Sequence, residues 1–150
     1  FPPPSSSDRG LPTFVETMYA HGAKGFFDAM AMHPYVYPAG LAVDDHNGWS
    51  DVERVRQLMV DNGDGGKKIW MTEIGAPTAA ATAGGVSQQE QAKQITDVLA
   101  RASRTDYSGP VFIYSIRDID TADATDDQDN FGALLTSDWQ PKVAAEALAR

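Results

Sequence analysis

Three apolar runs of strand length constrain this chain more than any other feature: Gly25–Met32, Lys68–Thr72 and Pro110–Ile116. None alternates cleanly between apolar and polar residues, the pattern of strands covered on both faces, as in parallel sheets. Helical signals lie between them. Pro12 is placed to open a helix through Phe14, Val15, Met18 and Tyr19, with Gly22 just past its end. Ser50-Asp51-Val52-Glu53 and Ser87-Gln88-Gln89-Glu90 read as capping boxes, each followed by apolar residues at helical spacing. Pro141 opens a last helix through Val143, Ala144, Ala147 and Leu148. The order predicts an α/β fold in which three parallel strands alternate with four helices. The runs recur at about 42 or 43 residues, longer than a minimal βαβ unit of about 30, so the connecting loops are generous. A start on a helix and only three strands suit the latter part of a larger repeat.

With 150 residues and no internal linker, the whole of 1–150 reads as one segment, its Pro/Ser-rich first ten residues being a loop remnant. Those first residues lack the basic and apolar regions of a signal peptide, and no apolar stretch is long enough to span a membrane. A formal charge of -9, from 12 Lys+Arg against 21 Asp+Glu, would repel a phosphate backbone and excludes nucleic acid as the expected partner. The absence of cysteine excludes disulfides, thiolate catalysis and Cys-ligated metal centres. His21, His33 and His46 are scattered and show no zinc-binding spacing.

Ligands of parallel α/β folds bind beyond the carboxyl ends of the strands, so the residues delivered there are the test of function. The first strand delivers His33-Pro34-Tyr35, the second Thr72-Glu73-Ile74-Gly75, and the third Tyr114 followed by Arg117-Asp118. Glu73 is the sharpest of these: it is either a partly desolvated carboxylate at the mouth of the sheet, or a residue that caps the next loop or pairs with Arg117. His33 and Tyr35 share parity on an extended strand and can face one side. His33 alone suits a structural hydrogen bond, whereas Tyr35 either donates to a carboxylate or fills space. Arg117 and Asp118 make an ion pair with each other, or else Arg117 holds a carboxylate charged while Asp118 binds sugar hydroxyls. Tyr114 is core or a stacking surface. Trp49 and His46 line a sugar subsite, or Trp49 is a hydrophobic staple for the helix that follows. The Asp-rich stretch from Asp118 to Asp129 lacks the glycine and terminal glutamate of a calcium-binding EF-hand loop and reads as a solvated acidic loop.

Taken together, these segments resemble the C-terminal portion of a clan A (β/α)8 glycoside hydrolase, close to the family 39-like, cellulase-related bacterial enzymes. The resemblance is carried by Tyr19-Ala20-His21-Gly22-Ala23-Lys24-Gly25, Phe27-Asp28-Ala29-Met30-Ala31-Met32-His33-Pro34-Tyr35 and Trp70-Met71-Thr72-Glu73-Ile74-Gly75. It continues in Tyr114-Ser115-Ile116-Arg117-Asp118 and in Asn130-Phe131-Gly132-Ala133-Leu134-Leu135 before Pro141-Lys142. It covers nearly the whole chain from about residue 11. It implies a partial TIM barrel whose strands are the sixth, seventh and eighth.

By the same resemblance Glu73 would be the catalytic nucleophile, with His33 and Tyr35 near it and the sugar. Trp49, Tyr114, Arg117 and Asp118 would be the remaining substrate-binding candidates. The implied activity is that of a retaining, endo-acting β-glycosidase on a polysaccharide, with no metal or organic cofactor. Such enzymes carry an acid/base glutamate after an asparagine on the fourth strand, and this chain holds no Asn-Glu pair. The expected partners are therefore a carbohydrate substrate and either the missing N-terminal barrel half or a second copy. The resemblance places such an enzyme outside the cell or in its envelope. The alternative is a catalytically silent carbohydrate-binding or assembly fragment.

Overall fold

The computed structural model describes residues 10–43 and 48–149. Of the first ten residues, expected to be a loop remnant, all but Gly10 lie outside the described residues, as does His46. Among the described residues, helices α1 (Leu11–Ala20), α2 (Trp49–Asp61), α3 (Gln88–Ser103) and α4 (Val143–Leu148) alternate with strands β1 (Ala29–Met32), β2 (Lys68–Ile74) and β3 (Ser108–Ile113). The strands form one parallel sheet in the order β1-β2-β3. This is the expected α/β arrangement, a partial barrel of three strands and four helices.

The second signal sets the helix start as read: Ser87 is the N-cap of α3 and its side chain accepts from the backbone N–H of Glu90, while Glu90 Oε1 accepts from the Gln94 amide. The first does not. Gly48 caps α2, and Ser50 lies inside the first helical turn. The reason is Trp49, which takes the first helical position and is buried there, so the helix begins two residues earlier than the polar pattern suggests. Pro12 stands in the first turn of α1, as its fixed φ favours.

One contiguous apolar cluster draws Val15 from α1, Val52, Val55 and Met59 from α2, Ile95 and Val98 from α3 and Ala144 from α4. These pack on Met30, Met32, Ile69, Met71 and Ile74, all 7% exposed or less. The expectation that the strands are covered on both faces holds on this side only. On the other, Trp70 and Phe112 are 42% and 50% exposed. The four helices all join the same core, on one side of the sheet. In a closed (β/α)8 barrel the other face is the packed interior.

Candidate active site

The sheet pairing decides where Glu73 points. From Ile69 through Met71, alternate side chains of β2 face the helices, and by simple alternation Glu73 would follow them. The register with β3 is irregular, however. Ile69 pairs with Ser108, Met71 with Val111 and Ile74 with Ile113, so β2 carries one extra residue between Met71 and Ile74. An extra residue resets strand parity. Ile74 takes the buried side, and Glu73 turns toward the strand end, where its side chain is 36% exposed.

β1 ends at Met32, so His33 and Tyr35 are not strand residues as expected. The chain turns there, the N–H of Tyr35 donating to the carbonyl of His33 at 2.9 Å. Both side chains nevertheless converge on Glu73. The Tyr35 hydroxyl donates to Glu73 Oε2 at 2.7 Å, and His33 Nδ1 lies 3.5 Å from the same oxygen. Burial raises the pKa of Tyr35 far above the ordinary 10.0, and the hydrogen bond and negative charge of Glu73 push it further. The phenol is therefore protonated and a donor to the carboxylate at neutral pH.

Around Tyr35 lies an aromatic cluster in which sequence reasoning gave no role to two members, Tyr37 and Phe131. Phe131 is buried, and the rings of Tyr35, Tyr37 and Tyr114 surround it at centroid distances of 5.7, 5.5 and 5.6 Å. Tyr114 thus contacts the core of the site through Phe131 while staying 40% exposed. Two glycines let the backbone close up here. A side chain at Gly75 would collide with the carbonyl of Tyr114, and one at Gly132 with the backbone at Arg117 and Asp118.

The other candidates stand elsewhere. Asp118 is fully buried and pairs with Lys142, whose Nζ lies 3.0 and 3.1 Å from its two oxygens. Thr121 donates to the same carboxylate, and Lys142 also donates to Thr78 at 2.6 Å. Burial lowers the pKa of Lys142, and Asp118 opposes that shift. A carboxylate enclosed in this way has no surface for sugar hydroxyls, and its ion-pair partner is not Arg117. Arg117 instead donates to the carbonyl of Ser137 at 2.7 Å and lies 4.7 Å from the ring centroid of Trp139, so its described contacts do not include Glu73. Trp49 is 3% exposed and part of the core, with the Arg101 guanidinium 5.8 Å from its ring. The only sequence signal for Lys142 was its place beside Pro141, and buried lysines are too rare for that to point inward.

The acidic stretch is a run of short turns: Asp120, Asp123 and Asp126 each accept from the backbone N–H two residues on. Among the described residues no three His, Asp or Glu side chains converge as a metal site.

No family model matches the chain, and no curated protein is similar to it in sequence. Solved structures are similar in fold. A family 39 glycoside hydrolase from the gut symbiont Bacteroides cellulosilyticus superposes with a TM-score of 0.69 at 23% identity, over 90% of this chain and 29% of its own. A β-glucuronidase from an uncultured Clostridium species gives 0.58 at 23% identity, over 82% of this chain and 22% of its own. A family 2 β-galacturonidase from Eisenbergiella tayi gives 0.58 at 18% identity, over 81% and 22%. This chain spans less than a third of the length of any of these three. It has the fold of part of a glycoside hydrolase barrel.

Proposed function

We propose that this chain carries the nucleophile of a retaining β-glycosidase and that Glu73 is that nucleophile. The observation that supports this reading is the Glu73 carboxylate at the strand end, held through one oxygen. Tyr35 and His33 both engage Oε2, which leaves Oε1 to attack. In the first step Oε1 bonds to the anomeric carbon, the bond to the leaving oxygen breaks, and an acid protonates that oxygen. In the second, water attacks the anomeric carbon, gives its proton to the same group and releases Glu73. The neutral Tyr35 donor orients the carboxylate without neutralising it, and its hydrogen bond favours the charged form.

The acid/base carboxyl belongs about 5–5.5 Å from the nucleophile in such a mechanism. On this reading it comes from outside these residues, since the chain has no Asn-Glu pair. The substrate would be a polysaccharide cut internally, met outside the cell or in its envelope.

A fluorinated β-glycoside with a dinitrophenyl leaving group tests the nucleophile directly, because so good a leaving group departs without acid assistance. Intact-mass and peptide mass spectrometry should find a glycosyl adduct on Glu73 and none in Glu73→Gln. An adduct on another residue, or equal labelling of the variant, would reject the assignment.

One observation favours a second reading, an assembly fragment without turnover. The sheet face bearing Trp70 and Phe112 is open, and within this sheet β1 and β3 each pair on one side only. Uncovered apolar surface and free strand edges invite further strands, from a missing barrel half or from a second copy. Light scattering showing a stable monomer would argue against self-association.

A further inference from the structure

We propose that Phe131 is a positioning residue for the candidate site: its ring sets the Tyr35 hydroxyl on Glu73. The proposal rests on the reading of Glu73 given above and adds the element that holds its partner. Tyr35 lies beyond the end of β1, so the ladder that aligns Met30 with Ile69 and Met32 with Met71 does not fix its backbone. What surrounds its ring is aromatic: Phe131 at 5.7 Å and 68°, and Tyr37 at 5.6 Å and 83°, both edge-to-face. Tyr37 in turn packs on Phe131 at 5.5 Å and 75°, so the three rings close a triangle in which Phe131 is the buried corner.

Phe131 is itself pinned from several directions. Its carbonyl accepts from the N–H of Ser115 at 2.9 Å, and the carbonyl of Ser115 accepts from Ala133 at 2.7 Å. On one side of it, the carbonyl of Asn130 accepts from the N–H of Thr78, while the Asn130 amide donates to the carbonyls of Asp123 and Asp126. On the other, Gln91 of α3 donates to the carbonyl of Gly132 and also to that of Ala76. These bonds tie the segment to the ends of β2 and β3 and to α3. The phenyl ring has no hydrogen-bonding group and no part in the chemistry. It transmits the position of that anchored segment to Tyr35, which β1 does not reach. The titratable groups that raise the pKa of Tyr35 are Glu73, Tyr37 and Tyr114, and His33 shares its Glu73 oxygen.

The test is a titration of the full chain carrying ring-labelled tyrosine, followed by NMR and assigned with Tyr35→Phe. Tyr19 is the internal control: its hydroxyl bonds Asp64 instead, and its pKa is raised to about 12, first by burial and then by that bond. In Phe131→Leu, which keeps bulk and removes the ring, Tyr35 should become at least about tenfold more acidic while Tyr19 stays where it is. Phe131→Met provides the same comparison if the leucine variant folds poorly. Tyr35 titrating as in the wild type would overturn the proposal, as would Tyr19 falling together with Tyr35 in both variants. The readout needs no turnover, so it stands apart from whether Glu73 forms a glycosyl adduct.

Discussion

Two carboxylates near the strand ends, Glu73 and Asp118, meet opposite fates. Asp118 is sealed, with Lys142 on both oxygens and Thr121 beside them, and neither charged side chain of the pair is exposed at all. Glu73 is about a third exposed and is held on one oxygen by a neutral phenol and a histidine. A fixed cation that fully encloses a carboxylate spends its charge on structure. A neutral donor on one oxygen leaves both the charge and the second oxygen available. The pair teaches that proximity to the strand ends is not enough to mark a functional carboxylate; the chemistry of its partners separates the two.

The largest expected effect lies at the sealed site. Asp118→Ala or Lys142→Met leaves one buried charge without its partner and should cost ~3–5 kcal/mol in urea unfolding. Replacing both, as Asp118→Leu with Lys142→Met, should recover most of that loss, because the second desolvated charge goes with the first. A single variant as stable as the wild type would break the contrast.

At the open site the same kind of cut should be milder. Tyr35→Phe removes a hydrogen bond to a charged group, a loss that partial exposure of Glu73 reduces to about 1 kcal/mol. The pH dependence sharpens this. A tyrosine whose folded pKa is raised contributes stability that is complete below the unfolded value of 10.0 and is lost as pH rises toward its folded value. Tyr35 and Tyr19 are both of this kind. The melting temperature should therefore fall above about pH 10, and Tyr35→Phe should flatten that fall without abolishing it, since Tyr19 still contributes.

Smallest of all should be Glu73→Gln, within about 0.5 kcal/mol of the wild type in the same unfolding measurement, because the side chain reaches solvent and Tyr35 keeps an acceptor. A loss as large as that of Asp118→Ala would make Glu73 a second structural carboxylate and remove the distinction drawn here.

Local pattern carried much of the fold. Each of the three apolar runs holds a strand, although β1 takes only the last four residues of its run and β3 stops before Tyr114, and the spacing of Ala92, Ile95, Val98 and Ala102 marks the buried face of α3. Hydrophobic period and caps act over a few residues, which is why they can be read directly. Glu73, His33 and Tyr35 were also legible as neighbours, because residues that follow adjacent parallel strands meet at one end of the sheet.

What the pattern could not contain were the long-range events. The extra residue in β2 that turns Glu73 away from the helix layer exists only relative to β3. Lys142 finds Asp118 from 24 residues away, and Phe131 enters the tyrosine cluster from far beyond Tyr35 in the chain. The helix start at Trp49 rather than Asp51 followed from burial of the indole, not from the polar signature beside it. The sequence by itself determined which residues reach the strand ends, since that depends on local periodicity and strand order. Only the tertiary structure decided which of the two carboxylates is enclosed by charge and which stays open, since enclosure depends on what distant segments bring to each.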